Sequence, residues 1–338
     1  MAQTRIFYAT QAVKVGATLM RGLQSVGLDT PFNLEQAFEL GQLSLYENIE
    51  GIPDISMTLQ KVLDGTPLLW HTATKTDTAY STVANNTFTA RGDSRVDEVI
   101  LYINQTADPI FSGDASVQAV QCSGMYISAC SYTIPTDGNC TEDVTLVGND
   151  KAWQGAQSAP AIGTLSALDE PDFIGSDGKA HVIRGEDVVA TGCLIPDIIP
   201  GVATTANNSG PLVTANLHIQ NFNCSVDLGR EQINQLGVRT PYSRYVNFPV
   251  EVTSSFEVIS LSGDIVAADS TARTNLDNHA IKMVVGDVTI DLGTKNKLQS
   301  VSYGGGDAGG GNVTNTFNFS NFNDWTINHS GDPAGVGT

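Results

Sequence analysis

The chain has 338 residues, with 17 lysines and arginines against 36 aspartates and glutamates, and therefore a formal charge of −19. Such an acidic chain cannot neutralise phosphates, which excludes the ordinary nucleic-acid-binding classes and attachment to anionic membranes. Hydrophobic residues make up 41 % of the chain, too many for a disordered protein, and its length predicts about two domains.

The N-terminal region gives no indication of export or membrane insertion. The first eight residues lack a basic region followed by an apolar one. No stretch of the chain approaches the roughly 18 consecutive apolar residues of a membrane-spanning helix. We therefore expect a soluble protein that is made in a cytoplasm.

Most of the recognisable pattern along the chain has a period of two residues. Apolar and polar residues alternate in Ile55–Leu59, Val144–Leu146 and Val250–Thr253, which predicts half-buried antiparallel strands. Turn residues separate such runs at 64–65, 136–139, 262–264 and 304–311. The architecture is therefore predicted to be all-β.

Two short segments have a helical pattern instead. The first covers 33–40 and is followed by Gly41, and the second covers 230–236 and is followed by Gly237. Each begins after a residue able to cap a helix, and each glycine stands where a helix end commonly needs a positive φ. The sequence therefore predicts a short flanking helix in each half of the chain.

The two helical segments belong to a stretch that repeats. When 23–53 is superposed on 219–249 at a constant offset of 196, seven of 31 positions are identical, against about two expected by chance. The identical pairs are Gln24/Gln220, Glu35/Glu231, Gln36/Gln232, Leu40/Leu236, Gly41/Gly237, Tyr46/Tyr242 and Pro53/Pro249. With one residue skipped after the proline, Ile55–Thr58 is expected to correspond to Val250–Thr253.

A second block repeats further along the chain. Ser131-Tyr132 corresponds to Ser302-Tyr303 at an offset of 171, and Asn139–Thr141 corresponds to Asn312–Thr314 at an offset of 173. Two blocks in the same order indicate a tandem duplication of one β domain. The predicted organisation is a first domain at 1–150, a linker or insertion at 151–189, a second domain at 190–328 and a polar tail at 329–338.

No residue pattern indicates catalysis, a cofactor or a metal. The five histidines lack a metal-binding spacing, and the glycine run at 304–311 is neither a phosphate loop nor a dinucleotide fingerprint. The acidic segments at 169–172 and 175–178 lack the ligand spacing of a calcium loop, and Arg91-Gly92-Asp93 suits an ordinary turn. We therefore predict a protein that is not an enzyme, with no catalytic, cofactor-binding or metal-binding residues.

The cysteines do not form a disulfide framework. They number five at irregular spacing, and no C-x-x-C pair indicates a zinc site. On one uninterrupted strand Cys122 and Cys130 would lie about 26 Å apart, too far to be bridged. All five are interpreted as small buried apolar residues.

Several segments resemble virion structural proteins of long-tailed bacteriophages. These segments are Asp227–Gly237, Pro241–Thr253, Ser302–Asp307, Asn321–Asp324 and Gly51–Gly65. More specifically, two tandem copies of a β-sandwich domain with a short flanking helix resemble duplicated tail tube proteins. The resemblance covers most of the chain except Gln154–Ala180, and it involves no reactive residues.

The resemblance implies a structural role in a phage tail. Single-domain tube subunits form hexameric rings, so a duplicated chain implies three copies per ring, with inner strands joined into one β-barrel and rings stacked into a tube. DNA would pass along walls of acidic or neutral polar side chains without being bound. The protein would be made in the cytoplasm of the bacterial host and would reside in the virion tail.

The implied partners follow from the same resemblance. They are other copies of the chain, the tape measure, tail terminator and baseplate proteins, and a sheath protein where the tail has one. Phage DNA would be a transient cargo, and no membrane is involved.

Two other functions fit the sequence. Another virion component, such as a baseplate, tail-completion or capsid-decorating protein, is one, because β-sandwich domains recur in all of them. A secreted carbohydrate-binding or adhesin-like module is the other. Against it stand the missing signal peptide, the lack of a disulfide framework and the wide separation of Trp70, Trp153 and Trp325 along the chain.

Overall fold

The fold is described from a computed structural model, for residues 5–74, 95–104, 110, 117–155, 158–159, 162, 171–212, 217–238, 241–260, 266, 277–305 and 311–329. Its strands are β1 Gln11–Val15, β2 Thr18–Leu19, β3 Leu23–Asp29, β4 Leu34–Phe38, β5 Leu45–Glu50, β6 Ile55–Val62, β7 Arg95–Asn104, β8 Val117–Pro135, β9 Thr141–Gly148, β10 Asp150–Gln154, β11 Ile195–Pro196, β12 Ser209–Gly210, β13 Ile219–Asp227, β14 Glu231–Ile233, β15 Ser243–Tyr245, β16 Glu251–Ile259, β17 Lys282–Val285, β18 Val288–Asp291, β19 Lys297–Gly304, β20 Thr314–Phe322 and β21 Thr326–His329. Within these residues one α-helix, α1, covers Leu69–Thr74, and 3₁₀ turns cover Tyr8–Thr10, Gly185–Asp187 and Ala190–Gly192.

The prediction of an all-β fold is confirmed. The alternating segments at 55–59 and 144–146 fall in β6 and β9, and the segment at 250–253 begins one residue before β16. The turn predicted at 262–264, the tripeptide at 91–93 and residues 330–338 of the predicted tail lie outside the described residues. No helix in the described part of the chain is long and apolar enough to cross a membrane.

A sheet of eight antiparallel strands runs through both halves of the chain. Its spatial order is β3, β6, β9, β8, β13, β16, β20, β19. One face of this sheet is apolar, and a single register row on it contains Ile134, Phe222, Phe256, Phe317 and Val301. The opposite face is polar, because successive side chains of a strand point to opposite sides.

A smaller layer packs on the apolar face in each half. In the first half the N-terminal part of β8 pairs with β7 and β10, and β7 pairs with β1. In the second half β18 pairs with β17 and β21. Side chains from both layers belong to one hydrophobic core, so each half is a β-sandwich.

The two halves share their strand pairing down to its irregularities. The order β3-β6-β9-β8 in the first half corresponds to β13-β16-β20-β19 in the second. Bulges lie at matching positions, Leu23/Ser25 with Ile219/Asn221 at an offset of 196, and Ile127/Ala129 with Leu298/Ser300 at an offset of 171. Bulges are specific features of a fold, so the repeat seen in the sequence is also a repeat of the backbone. The exact domain limits at 150 and 190 stay a prediction.

One alignment predicted from the sequence is wrong by two residues. Strand β6 pairs with β9 as β16 pairs with β20, and this pairing places Ile55 opposite Gly148 and Val252 opposite Asn321. Since β9 and β20 are related by the offset of 173, Ile55 corresponds to Val252 rather than to Val250. A slip of two residues keeps every side chain on its own face, so an alternating pattern cannot detect it.

Both predicted helices are wrong. Segment 33–40 contains β4, which pairs with β5, and segment 230–236 contains β14, which pairs with β15. Gly41 and Gly237 have φ values of +95° and +82°, which a hairpin turn uses as readily as a helix end does. Segments this short contain too few periods to separate a helical pattern from an extended one.

Part of the predicted linker at 151–189 and the start of the predicted tail belong to the fold. Strand β10 pairs with β8, and Ile183 is fully buried, with its N–H donating to the carbonyl of Leu63 at 2.7 Å. His329 ends β21, is 3 % exposed, and places Nε2 at 3.1 Å from a carboxylate oxygen of Asp287. Composition alone did not indicate these contacts, because they depend on residues distant in the sequence.

The carboxylate of Glu142 is fully buried beside α1. It accepts hydrogen bonds from the N–H groups of Leu69 (2.7 Å) and Trp70 (2.8 Å) and from the hydroxyl of Tyr132 (2.7 Å). Burial raises the pKa of Glu142, because an apolar surrounding disfavours the charged form more strongly than these hydrogen bonds and the charge of Lys61 favour it.

We expect the stability of the wild type, relative to a Glu142→Gln variant, to fall as the pH rises above about 4, where an ordinary glutamate ionises. The folded-state pKa of Glu142 lies above its unfolded value, so its contribution is complete below the unfolded pKa and is lost as the pH passes the folded pKa. Urea unfolding of both proteins at a series of pH values measures this difference. Parallel pH profiles would contradict it.

Candidate functional site

The side chains that could carry chemistry are not gathered at one site. Some lie in the core and others at the surface. Among the described residues, no group of three or more His, Cys, Asp or Glu could hold a metal. His71 and His279 are buried, and each places a ring nitrogen 2.9 Å from a backbone carbonyl oxygen. Trp70 and Trp325 pack in the core with ring centroids 5.9 Å apart, whereas Trp153 is exposed.

The five cysteines are free and buried, which confirms their interpretation as core residues. Cys122 and Cys130 both lie on β8. Burial raises the pKa of Cys122 to about 11 and that of Cys140 to about 12, because the thiolate loses its hydration. Both thiols are therefore protonated at neutral pH and unsuited to nucleophilic chemistry.

The two halves are joined by direct strand pairing. The C-terminal part of β8 is antiparallel to β13, with Tyr132 opposite Cys224 and Ile134 opposite Phe222. All four side chains are at most 5 % exposed. We call this pairing the internal junction.

The strands equivalent to those of the internal junction form the two outer edges of the sheet. In the repeat β19 corresponds to β8 and β3 to β13, but within the described residues β19 pairs only with β20 and β3 only with β6. Tyr303, the equivalent of Tyr132, is 54 % exposed, and Leu28, the equivalent of Cys224, is partly exposed. An open edge presents unpaired backbone donors and acceptors to another strand. The two strands that correspond to the internal junction therefore lie at opposite ends of the eight-stranded sheet.

The polar face of the eight-stranded sheet is nearly free of positive charge. One register row across it contains Ser25, Gln60, Asp143, Ser131, Ser225, Thr253, Ser320 and Lys297. Its carboxylates in the described strands are Asp29, Asp143, Asp227, Glu251 and Glu257, against the single cation Lys297. A face of this composition does not favour the binding of phosphate groups.

Two hairpins project at equivalent positions of the repeat. In the first, Glu35 lies opposite Ile49, and in the second, Glu231 lies opposite Tyr245, each 196 residues further on. The first hairpin, β4 with β5, is strongly exposed, and every residue of β5 is accessible. Its large exposed apolar side chains are Leu34, Phe38, Leu40, Leu43, Leu45, Tyr46 and Ile49. Leu34, Phe38 and Leu45 lie on one face of the hairpin and Ile49 lies on the other. The face with three large exposed apolar side chains is the better candidate for an interaction surface.

The second hairpin, β14 with β15, is held against the first half of the chain by Arg244. The Arg244 side chain is largely buried, and its Nη2 donates to the carboxylate of Asp54 and to the side-chain oxygen of Asn149, both at 2.8 Å. Its Nε also donates to Asn149, at 3.2 Å. Asp54 and Asn149 flank the start of β6 and the end of β9, so the contact crosses from one copy of the repeat to the other.

Arg230 makes a second contact between the same hairpin and the first half. Its Nε donates to the carbonyl of Ile127 at 2.7 Å, and its guanidinium lies 5.2 Å from the ring centre of Tyr126. Burial lowers the pKa of Arg230 to about 10, because the guanidinium is partly removed from water, so it remains charged at neutral pH.

No sequence pattern predicted that Arg230 and Arg244 would lie between the two halves. The only available signal was the chemical difference between the copies, since Leu34 and Asn48 stand where the second copy has Arg230 and Arg244. That difference has a meaning only once both segments are known to be hairpins and the arginines are seen in contact with the other half.

Comparison with known proteins adds a loose structural similarity. No family model and no curated protein matches the chain. Among solved structures, the chain is similar to a chain from the cryo-EM structure of the anti-feeding prophage cap, described as the tube terminating cap, at 14 % sequence identity and a TM-score of 0.31. The match covers 46 % of this chain and 94 % of that one. A TM-score of this size does not by itself establish a common fold.

We expect Arg244→Met to loosen the second hairpin and to lower the free energy of unfolding by about 1 kcal/mol, a modest loss because Asp54 is half-exposed. Hydrogen exchange at 231–245 should accelerate in this variant. Lys151→Met is a matched control, since Lys151 is exposed and donates only at the surface, to Thr30 at 2.6 Å. Equal exchange at 231–245 in the two variants would contradict the anchoring role of Arg244.

Proposed function

We propose that the chain is the structural subunit of a phage tail tube, and that three copies close into a ring of pseudo-sixfold symmetry. The observation that carries this proposal is the pair of open edges. The chain forms the β8–β13 junction once internally, and each of the equivalent strands β19 and β3 has one edge without a partner strand among the described residues. Pairing β19 of one copy with β3 of the next would repeat the same junction around a ring.

The repeat predicts the register of this contact between chains. Transferring the internal pairs Tyr132/Cys224 and Ser131/Ser225 by the offsets of 171 and 196 gives Tyr303 opposite Leu28 and Ser302 opposite Asp29. The transfer would cover the exposed part of Tyr303 with an apolar neighbour. It would also remove both free edges, which otherwise invite open-ended aggregation.

Three chains of eight strands would form a closed barrel of about 24 strands, wide enough for a central channel. The number three is the one that the resemblance to hexameric tubes implies for a chain with two copies of the domain. The apolar face of the sheet is covered by the smaller layers of each half, which leaves the polar, acidic face for the channel. Negative charge on the channel wall would repel DNA and let it pass without being held.

In this function the chain is a virion component without a reaction to catalyse. Its partners would be further copies of itself, the tape measure, tail terminator and baseplate proteins, and a sheath protein in tails that have one. It would be made in the cytoplasm of the bacterial host and assembled there into the tail.

A disulfide tests the ring and its register together. We expect Asp29→Cys combined with Ser302→Cys to form cross-links between chains under mild oxidation, because directly opposed residues of antiparallel strands have Cα atoms about 4.5–5.5 Å apart. Denaturing gels without reductant should show covalent dimers and trimers and nothing larger. The native cysteines are buried and add little background.

Ser25→Cys combined with Ser302→Cys is the control, since four residues along a strand shift the thiol by about 13 Å. It should remain uncross-linked. A ladder that continues beyond three chains would indicate an open filament and would overturn the ring. Failure of the 29/302 pair to cross-link would overturn the edge pairing.

A further inference from the structure

We propose that the first hairpin, β4 with β5, docks on the second half of the neighbouring chain through an apolar contact, in place of the arginine contacts that seat the second hairpin within the chain. This inference rests on the proposed ring. It names a surface and an occupant that edge pairing alone does not specify.

The second hairpin shows how such a hairpin is seated. It lies across the internal junction and contacts the opposite copy at Ile127, Asp54 and Asn149. The first hairpin follows β3 as the second follows β13, and their strand pairs match at an offset of 196. If β3 pairs with β19 of a neighbour, the first hairpin therefore lies over the corresponding surface of that neighbour.

Three of the six strand positions that would face this surface are apolar in the first hairpin, and the other three are Gln36, Asn48 and Glu50. Positions 34, 38 and 45 share the face that carries Arg230, Asn234 and Pro241 in the second hairpin, because they alternate with the residues of the opposite face. They hold Leu34, Phe38 and Leu45, and Leu34 is 61 % exposed in the single chain. Arg244 is replaced by Asn48, which has no charge to pair.

The receiving surface becomes more apolar at one of its three equivalent positions and keeps its chemistry at the other two. The equivalents of Ile127, Asn149 and Asp54 are Leu298, Phe322 and Glu251, by the offsets of 171, 173 and 197 that the strand pairing fixes. Phe322 is 56 % exposed at the end of β20. Its equivalent in the first half is Asn149, which accepts hydrogen bonds from Arg244. By the same transfer Leu34 would lie over Leu298, as Arg230 lies over Ile127 in the second hairpin. The exposed Phe322 would lie beside Asn48, as Asn149 lies beside Arg244.

The polar contact of the second hairpin lies within one chain, whereas the apolar contact of the first hairpin would join two chains. The internal junction is covalently continuous, so its hairpin needs geometric fixing, which the arginine hydrogen bonds supply. The contact between chains must hold separate molecules together, and burial of apolar surface is the main driving force for association. In such a ring, three arginine-mediated hairpin contacts within chains would alternate with three apolar hairpin contacts between chains.

Charge placed at position 34 tests the contact. We expect Leu34→Glu to raise the concentration at which trimers form by at least about tenfold, measured by mass photometry or sedimentation. Its monomer should keep the wild-type unfolding midpoint, because Leu34 is exposed in the single chain. Leu34→Met should assemble as the wild type does, and so should Ile49→Glu, which alters the opposite face of the same hairpin.

A cross-link tests the seat directly. In the second hairpin Arg244 reaches Asp54, so Asn48→Cys and Glu251→Cys should be joined between chains by a short bifunctional maleimide, while Asn48→Cys and Glu257→Cys, six residues along β16, should not. The 29/302 disulfide provides the reference for ring formation. If that disulfide forms, but the 48/251 pair fails and Leu34→Glu assembles normally, the docking is overturned and the ring stands. If the 29/302 disulfide also fails, the proposed function falls with it.

Discussion

The hydrogen-bonding groups of a strand edge must find partners, and this requirement organises the whole chain. Within the molecule it is met at the internal junction, where the last strand of one four-stranded sheet pairs with the first strand of the next. The buried side chains at this junction, such as Tyr132 and Phe222, show that it is part of the core. Because the domain is duplicated, the same two edges recur at the outer ends of the sheet, where the chain itself offers no described partner.

The two copies of the repeat agree in their bulges and strand pairing, but they differ in the side chains of their hairpins. Both bulges recur at the same residues of the two copies, since a bulge sets the twist and the end of strand pairing. The hairpins keep their pairing offset as well, yet their side chains diverge from Arg230 to Leu34 and from Arg244 to Asn48. One hairpin has its binding surface within the chain, whereas the other exposes large apolar side chains.

The charge of the chain is distributed in accordance with this organisation. The polar face of the continuous sheet holds five carboxylates in its described strands and one lysine, with serine, threonine and asparagine between them. The arginines Arg230 and Arg244 lie instead at the hairpin seat, where they fix one copy to the other. The net charge of −19 is therefore not a uniform property of the surface. It leaves one broad face that favours neither phosphate binding nor self-association through opposite charges.

The sequence by itself determined the all-β class, the duplication, the buried state of the cysteines and the strands at 55–59, 144–146 and 250–253, because a period of two and a repeated block are local properties of the chain. It did not determine whether 33–40 and 230–236 are helices or hairpins, since a glycine with positive φ and a few alternating residues suit both. It also could not fix the two-residue register of β6 against its copy, because such a slip changes no side chain's face. Only the tertiary structure revealed the interface residues. Whether Leu34 is exposed and Arg244 is buried depends on which distant strand lies beside each hairpin, and that follows from strand pairing across the whole chain.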